Sequence, residues 1–78
     1  MTIHVFSEAC YAGKRRNSKP EYLPIIEYRR SGGAVYDRTA LNGLRRESHK
    51  AAVHAAMREL HICAPQHAEM AIIESAVA

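Results

Sequence analysis

The chain has 78 residues, 47% hydrophobic and 24% charged, with two cysteines and no tryptophan, which allows one domain (residues 1–78) around one core. A chain this short buries only about 60% of the surface its unfolded form exposes, so its stability margin is thin. Its formal charge of +3 is a moderate excess, well short of a histone-like tail, and it favours an acidic partner: nucleic acid, a nucleoprotein or an acidic protein surface.

The N-terminus, MTIHVFSEAC, lacks the basic start and apolar core of a secretory signal. The longest apolar runs are too short to cross a bilayer. Two cysteines, Cys10 and Cys63, make no disulfide framework, so the expectation is a reduced, cytoplasmic setting with both thiols free and partly buried.

Thr2 to Phe6 is short and rich in β-branched and aromatic residues, which predicts a first strand. Ser7 to Pro20 reads as a polar, basic loop. Glu21 to Arg29 predicts a second strand, interrupted by Pro24, which cannot donate to a ladder and implies a missing bond or a bulge on one side. Ser31-Gly32-Gly33 predicts a hairpin turn, because paired glycines supply positive φ. Ala34 to Thr39 then runs antiparallel as a third strand. Asn42 is the expected N-cap of a helix over Leu44 to Leu60, with Ala52, Val53, Ala56, Met57 and Leu60 on its buried side. Ala64 to His67 reads as a loop after the helix, and Glu69 to Ser75 as a last strand.

The expected fold is therefore α+β: a two-layer β-β-β-α-β sandwich with one long helix on a mainly antiparallel four-stranded sheet. One helix covers one face of such a sheet. Sorting strand residues by parity assigns Ile3, Val5, Leu23, Ile25, Val35, Met70 and Ile72 to the helix side. His4, Phe6, Tyr22, Ile26, Tyr28, Tyr36 and Ile73 fall on the other side. That set is aromatic and amphipathic, so Phe6, Tyr22, Tyr28 and Tyr36 are expected to form an interface with a partner or a second copy of the chain.

Positive charge is clustered. Arg46, Lys50, His54 and Arg58 recur at every fourth residue and line one helix face. Arg15 and Arg16 lie in the first loop with Lys14 and Lys19, and Arg29 and Arg30 close the second strand. Like charges at i,i+4 cost a few tenths of a kcal/mol, roughly, rather than stabilising the helix. Glu47 and Glu59 flank the stripe and offset part of that cost. A tolerated repulsion points to use as a binding surface. The expected partner-binding residues are Arg15, Arg16, Arg29, Arg30, Arg46, Lys50 and Arg58.

Constellations for chemistry are weaker. His61, Cys63 and His67 do not have a strong zinc spacing, and the reading is a buried Cys63 with surface histidines. Cys10 lies near basic residues, but no orienting group can be assigned to a nucleophile from the sequence. No phosphate-binding glycine loop is present. No catalytic residue, metal site or cofactor is expected.

Two resemblances concern architecture. Ser7-Glu8-Ala9-Cys10 ends the first strand and Glu74-Ser75 the last, with a hairpin and a helix between them. In element order this resembles the first half of the ribonuclease H-like fold, whose strands carry aspartates where Glu8 and Glu74 stand. Glu47 is one position out of register with that family's helix glutamate, and the second half of the fold has no counterpart. A working nuclease would need several carboxylates fixed around metal ions; a non-catalytic version of the architecture is the expectation. The size and element order also resemble small phage-encoded anti-CRISPR inhibitors. That resemblance implies a non-enzymatic protein, acting in the cytoplasm of a bacterial host, that binds a CRISPR surveillance complex and blocks its access to target DNA. The rival is a direct nucleic-acid binder that uses the basic stripe on phosphates and the tyrosines and Phe6 for base stacking.

Overall fold

The computed structural model of the protein describes residues 1–11 and 20–74. Strands β1 (Thr2–Cys10), β2 (Glu21–Arg29), β3 (Val35–Ala40) and β4 (Ala71–Ile73) form one sheet in the order β3-β2-β1-β4. The pairs β1/β2 and β2/β3 are antiparallel, and β4 runs parallel to β1. Helix α1 (His49–Cys63) covers one face, and a six-residue helix α2 (Pro65–Met70) leads into β4. No helix among the described residues is long and apolar enough to cross a membrane.

The α+β sandwich expected from the pattern is present, and β2 has the expected bounds. The first strand is longer than expected, running on to Cys10. Gly32 and Gly33 take φ of 98° and 92°, the left-handed geometry that closes the β2–β3 hairpin. Pro24 acts as a terminator. Leu41 N–H donates to the Pro24 carbonyl at 2.9 Å, but Pro24 has no N–H to return. The Leu41 carbonyl instead accepts from Leu44 N–H at 2.9 Å, closing a short 3₁₀ turn over Asn42–Leu44. The missing donor of one residue thus ends the β2–β3 ladder and starts the next element.

That 3₁₀ turn displaces the expected helix start. Arg46 and Tyr22 exchange two backbone hydrogen bonds, at 2.8 and 3.0 Å, so Arg46 is extended rather than helical. Asn42 is not the cap. Ser48 is, with its Oγ accepting from Ala51 N–H at 3.1 Å. The helix therefore begins at His49, five residues later than the periodicity implied, and ends at Cys63, past Leu60. Pro65 stops α1, yet its fixed φ suits the first turn of α2, so the expected loop Ala64–His67 is mostly helical. Met70 belongs to α2, and the last strand is only Ala71–Ile73.

The parity assignment is right for β1 and reversed for β2 and for β4, where Ile73 pairs with Val5 and Ile72 with His4. The register sets Ile3 opposite Tyr28 and Val5 opposite Ile26. Opposed residues share a face. Ile3, Val5, Ile26, Val53, Ala56, Leu60 and Ala68 thus form the core under α1, with Tyr28, Leu41, Met57 and Ala71 around it. Leu23 and Ile25 point to the open face instead, opposite Glu8 and Phe6. Alternation could not fix this phase, because Leu23 to Ile26 is apolar at every position.

Candidate functional site

The outer side of α1 carries the helical stripe as expected. Arg46, Lys50, His54 and Arg58 are all exposed and line one shallow groove of about 470 Å³ with Ser48, Ala51 and Ala55. Two features of the sequence build it. Ala52, Val53, Ala56 and Leu60 turn inward, which rotates the fourth-residue series outward. Arg46 precedes the helix, but its bridge to Tyr22 holds it in line with the stripe. The alanines keep the floor low between long basic side chains. Among the described residues, no carboxylate lies within 4 Å of Arg46, Lys50 or Arg58. Arg45 differs from its neighbour: it reaches Glu21 at 3.8 Å.

The open face of the sheet also carries arginines, but they are engaged. Glu27 is 5% exposed and accepts from Arg29 Nε at 2.7 Å. Arg29 also contacts Glu74 at 3.0 Å, and Glu74 takes His4 Nδ1 at 2.8 Å. Arg38 pairs with Glu8, approaches Glu27 at 3.9 Å and lies over the Phe6 ring. The hydrogen bond Arg29 donates to Glu27 and then the charge of Glu74 hold the Arg29 guanidinium above its ordinary range, against desolvation. Arg29 is therefore a bracing residue of the sheet rather than a free cation. Arg30 is exposed and stacks on Tyr36 at 5.2 Å. Arg15 and Arg16 lie outside the described residues.

The expected aromatic interface is not assembled. Phe6 is on the open face beneath Arg38, half-buried. Tyr28 and Tyr22 share the face of Ile26 and meet the helix layer. The Tyr28 hydroxyl shares a hydrogen bond with His67 Nδ1 at 3.0 Å, and burial followed by the charge of Asp37 raises its pKa. Tyr36 is exposed on the edge strand β3. The open face instead carries Leu23 and Ile25 beside Phe6, interleaved with the charged Glu27, Arg29 and Arg38.

One constellation escaped the sequence reading. Ser7 Oγ lies 2.6 Å from His49 Nδ1, and His49 Nε2 lies 3.0 Å from the Glu74 carbonyl. A carbonyl only accepts, so Nε2 carries the proton and Nδ1 receives the Ser7 hydroxyl. The trio ties β1, the first residue of α1 and the end of β4 together. Its members are 42 and 25 residues apart, a separation no local pattern reveals. His49 lies beside the basic stripe rather than in it, so the fourth-residue spacing does not mark it.

The other expectations for chemistry divide. Glu8 and Glu74 line one depression, together with Glu27 and Arg29, but Glu47 lines another with Glu21 and Arg45. Both Glu8 and Glu74 are claimed by arginines, and among the described residues no group of three His, Cys, Asp or Glu is placed to hold a metal. Cys63 is exposed, correcting the buried reading, and its thiol is pushed up by partial desolvation and the Glu59 carboxylate. His61 is on the surface, whereas His67 is half-buried against Tyr28.

Comparison with known proteins yields no relatives: no family model matches the chain, and no curated protein or solved structure matches it.

Proposed function

We propose that the protein is a non-catalytic binding module that docks through the basic groove of α1 on an anionic surface, most plainly that of a nucleoprotein complex. The single observation behind this reading is the pairing pattern. Arg29, Arg38 and Arg45 each have a carboxylate, while Arg46, Lys50 and Arg58 are aligned, exposed and without one among the described residues. Aligned unpaired cations repel one another in the isolated protein, and a partner's negative charge relieves that repulsion on binding. Arg30, on the hairpin, stacks on Tyr36 and does not line the groove.

The partner class suggested by the architectural resemblance is a CRISPR surveillance complex, whose access to target DNA the bound module would block. The test titrates the protein into a purified surveillance complex and follows capture of labelled target DNA. Capture should fall with the natural chain and persist with Arg46→Glu/Lys50→Glu/Arg58→Glu. Undiminished capture at saturating protein removes this partner, and equal inhibition by both chains removes the groove. The base-stacking alternative has less support, since its four aromatic residues lie on different faces.

A further inference from the structure

We infer that the ligand of the α1 groove is the sugar–phosphate backbone of one nucleic-acid strand, held without base recognition. This rests on the docking reading above and specifies what is docked. Three observations support it. First, the basic residues are evenly spaced along the groove, while Glu21 and Glu47 lie in the adjoining depression at its Arg46 end. Lys50, His54 and Arg58 repeat at about 6 Å along the helix axis, since each residue rises about 1.5 Å. Arg46 continues the line beyond the helix start, fixed by its two backbone bonds to Tyr22. The groove-lining residues include no acid. A protein surface seldom offers an unbroken line of negative charge, whereas a phosphate backbone is one.

Second, the groove begins at the N-terminal end of the 15-residue α1, where the helix dipole adds partial positive charge to the side-chain charge. Third, size and lining favour a single strand without stacking. A volume of about 470 Å³ is that of a site for one small molecule. A few sugar–phosphate units are matched to that volume. The floor is Ala51 and Ala55, which permit close approach of a backbone, and no Phe, Tyr or Trp lines it to stack a base. Contacts of this kind position a strand and carry no sequence information.

The test is fluorescence anisotropy with 5′-labelled dT12 and a labelled 12-base-pair duplex at 50 mM salt. The natural chain should bind dT12 more tightly than the duplex, and dT12, dA12 and dC12 within about threefold of one another. With about three phosphate contacts, the log–log salt slope for a single strand should be near −2. Lys50→Glu/Arg58→Glu should weaken dT12 binding at least tenfold, and Ala51→Glu should do so by filling the floor with a like charge to the ligand. Arg30→Glu, outside the groove, should change it less than twofold. Circular dichroism of each variant checks that it is folded. Absence of dT12 binding, tighter duplex binding or a salt-independent affinity overturns the inference. If surveillance-complex binding still requires Lys50 and Arg58 in that case, docking stands and the groove reads a protein surface; if it does not, both fail.

Discussion

The two faces of this small sandwich each present arginines, and they use them differently. On the open sheet face, Arg29 and Arg38 interleave with Glu8, Glu27 and Glu74, so positive charge is met within about 4 Å by carboxylates from the same strand, from other strands and from the residue after β4. On the outer face of α1, Arg46, Lys50 and Arg58 stand in line with no such partner among the described residues. Both sets look alike in a charge count. The sheet brings acids from two strands and from the end of a third to one surface, whereas a helix offers its own stripe only residues three and four apart. The difference separates charge that holds the fold from charge that is left for a ligand.

The comparison predicts unequal costs. The largest effect on stability should come from the inner side of α1. Leu60, 3% exposed in the core cluster, should cost about 2–5 kcal/mol when changed to Ala, read by urea unfolding. Next comes the buried acid of the open face. Glu27→Ala leaves Arg29 without its closest acceptor and should cost about 1–3 kcal/mol, whereas an effect below about 0.5 kcal/mol would mean the ion pairs there are incidental. Ser7→Ala removes the hydroxyl that His49 accepts and should cost about 1 kcal/mol, from loss of one hydrogen bond between β1 and α1. Reversing Arg46, Lys50 and Arg58 together should change stability by less than about 0.5 kcal/mol per site, because these side chains are exposed and unpaired. A marked destabilisation there would show that the groove has a structural duty. Smallest of all is a chemical effect: Cys63, though exposed, should be alkylated by iodoacetamide at neutral pH more slowly than an unperturbed thiol, because its raised pKa keeps the thiolate scarce.

Much of the fold was legible in the sequence where periodicity had contrast. Val53, Ala56 and Leu60 against Arg46, Lys50 and Arg58 set the phase of α1 correctly, and Gly32-Gly33 marked the hairpin. The apolar run Leu23-Pro24-Ile25-Ile26 had no contrast, so β2 could not be oriented until its register with β1 was known. The helix start was misplaced because Asn42 is a good cap in isolation, while the deciding facts were Pro24's missing N–H and the Arg46–Tyr22 bridge, both contacts between distant segments. The same limit governs the candidate site. The stripe is written at a local spacing and was visible. That Arg29 is engaged by Glu27 and Glu74, or that Ser7 meets His49, follows only from the strand order β3-β2-β1-β4.

The most direct test neutralises one arginine or lysine on each face and reads stability and binding together. Arg29→Gln and Lys50→Gln each lower the net charge by one, so any effect of overall charge is the same in both. Urea unfolding and dT12 anisotropy are measured on each folded variant. Arg29→Gln should lower the unfolding midpoint and leave binding within about twofold. Lys50→Gln should leave the midpoint in place and weaken binding several-fold, as expected for loss of one phosphate contact. Equal losses of binding in the two variants would contradict the account, because net charge rather than the α1 groove would then determine what this protein holds.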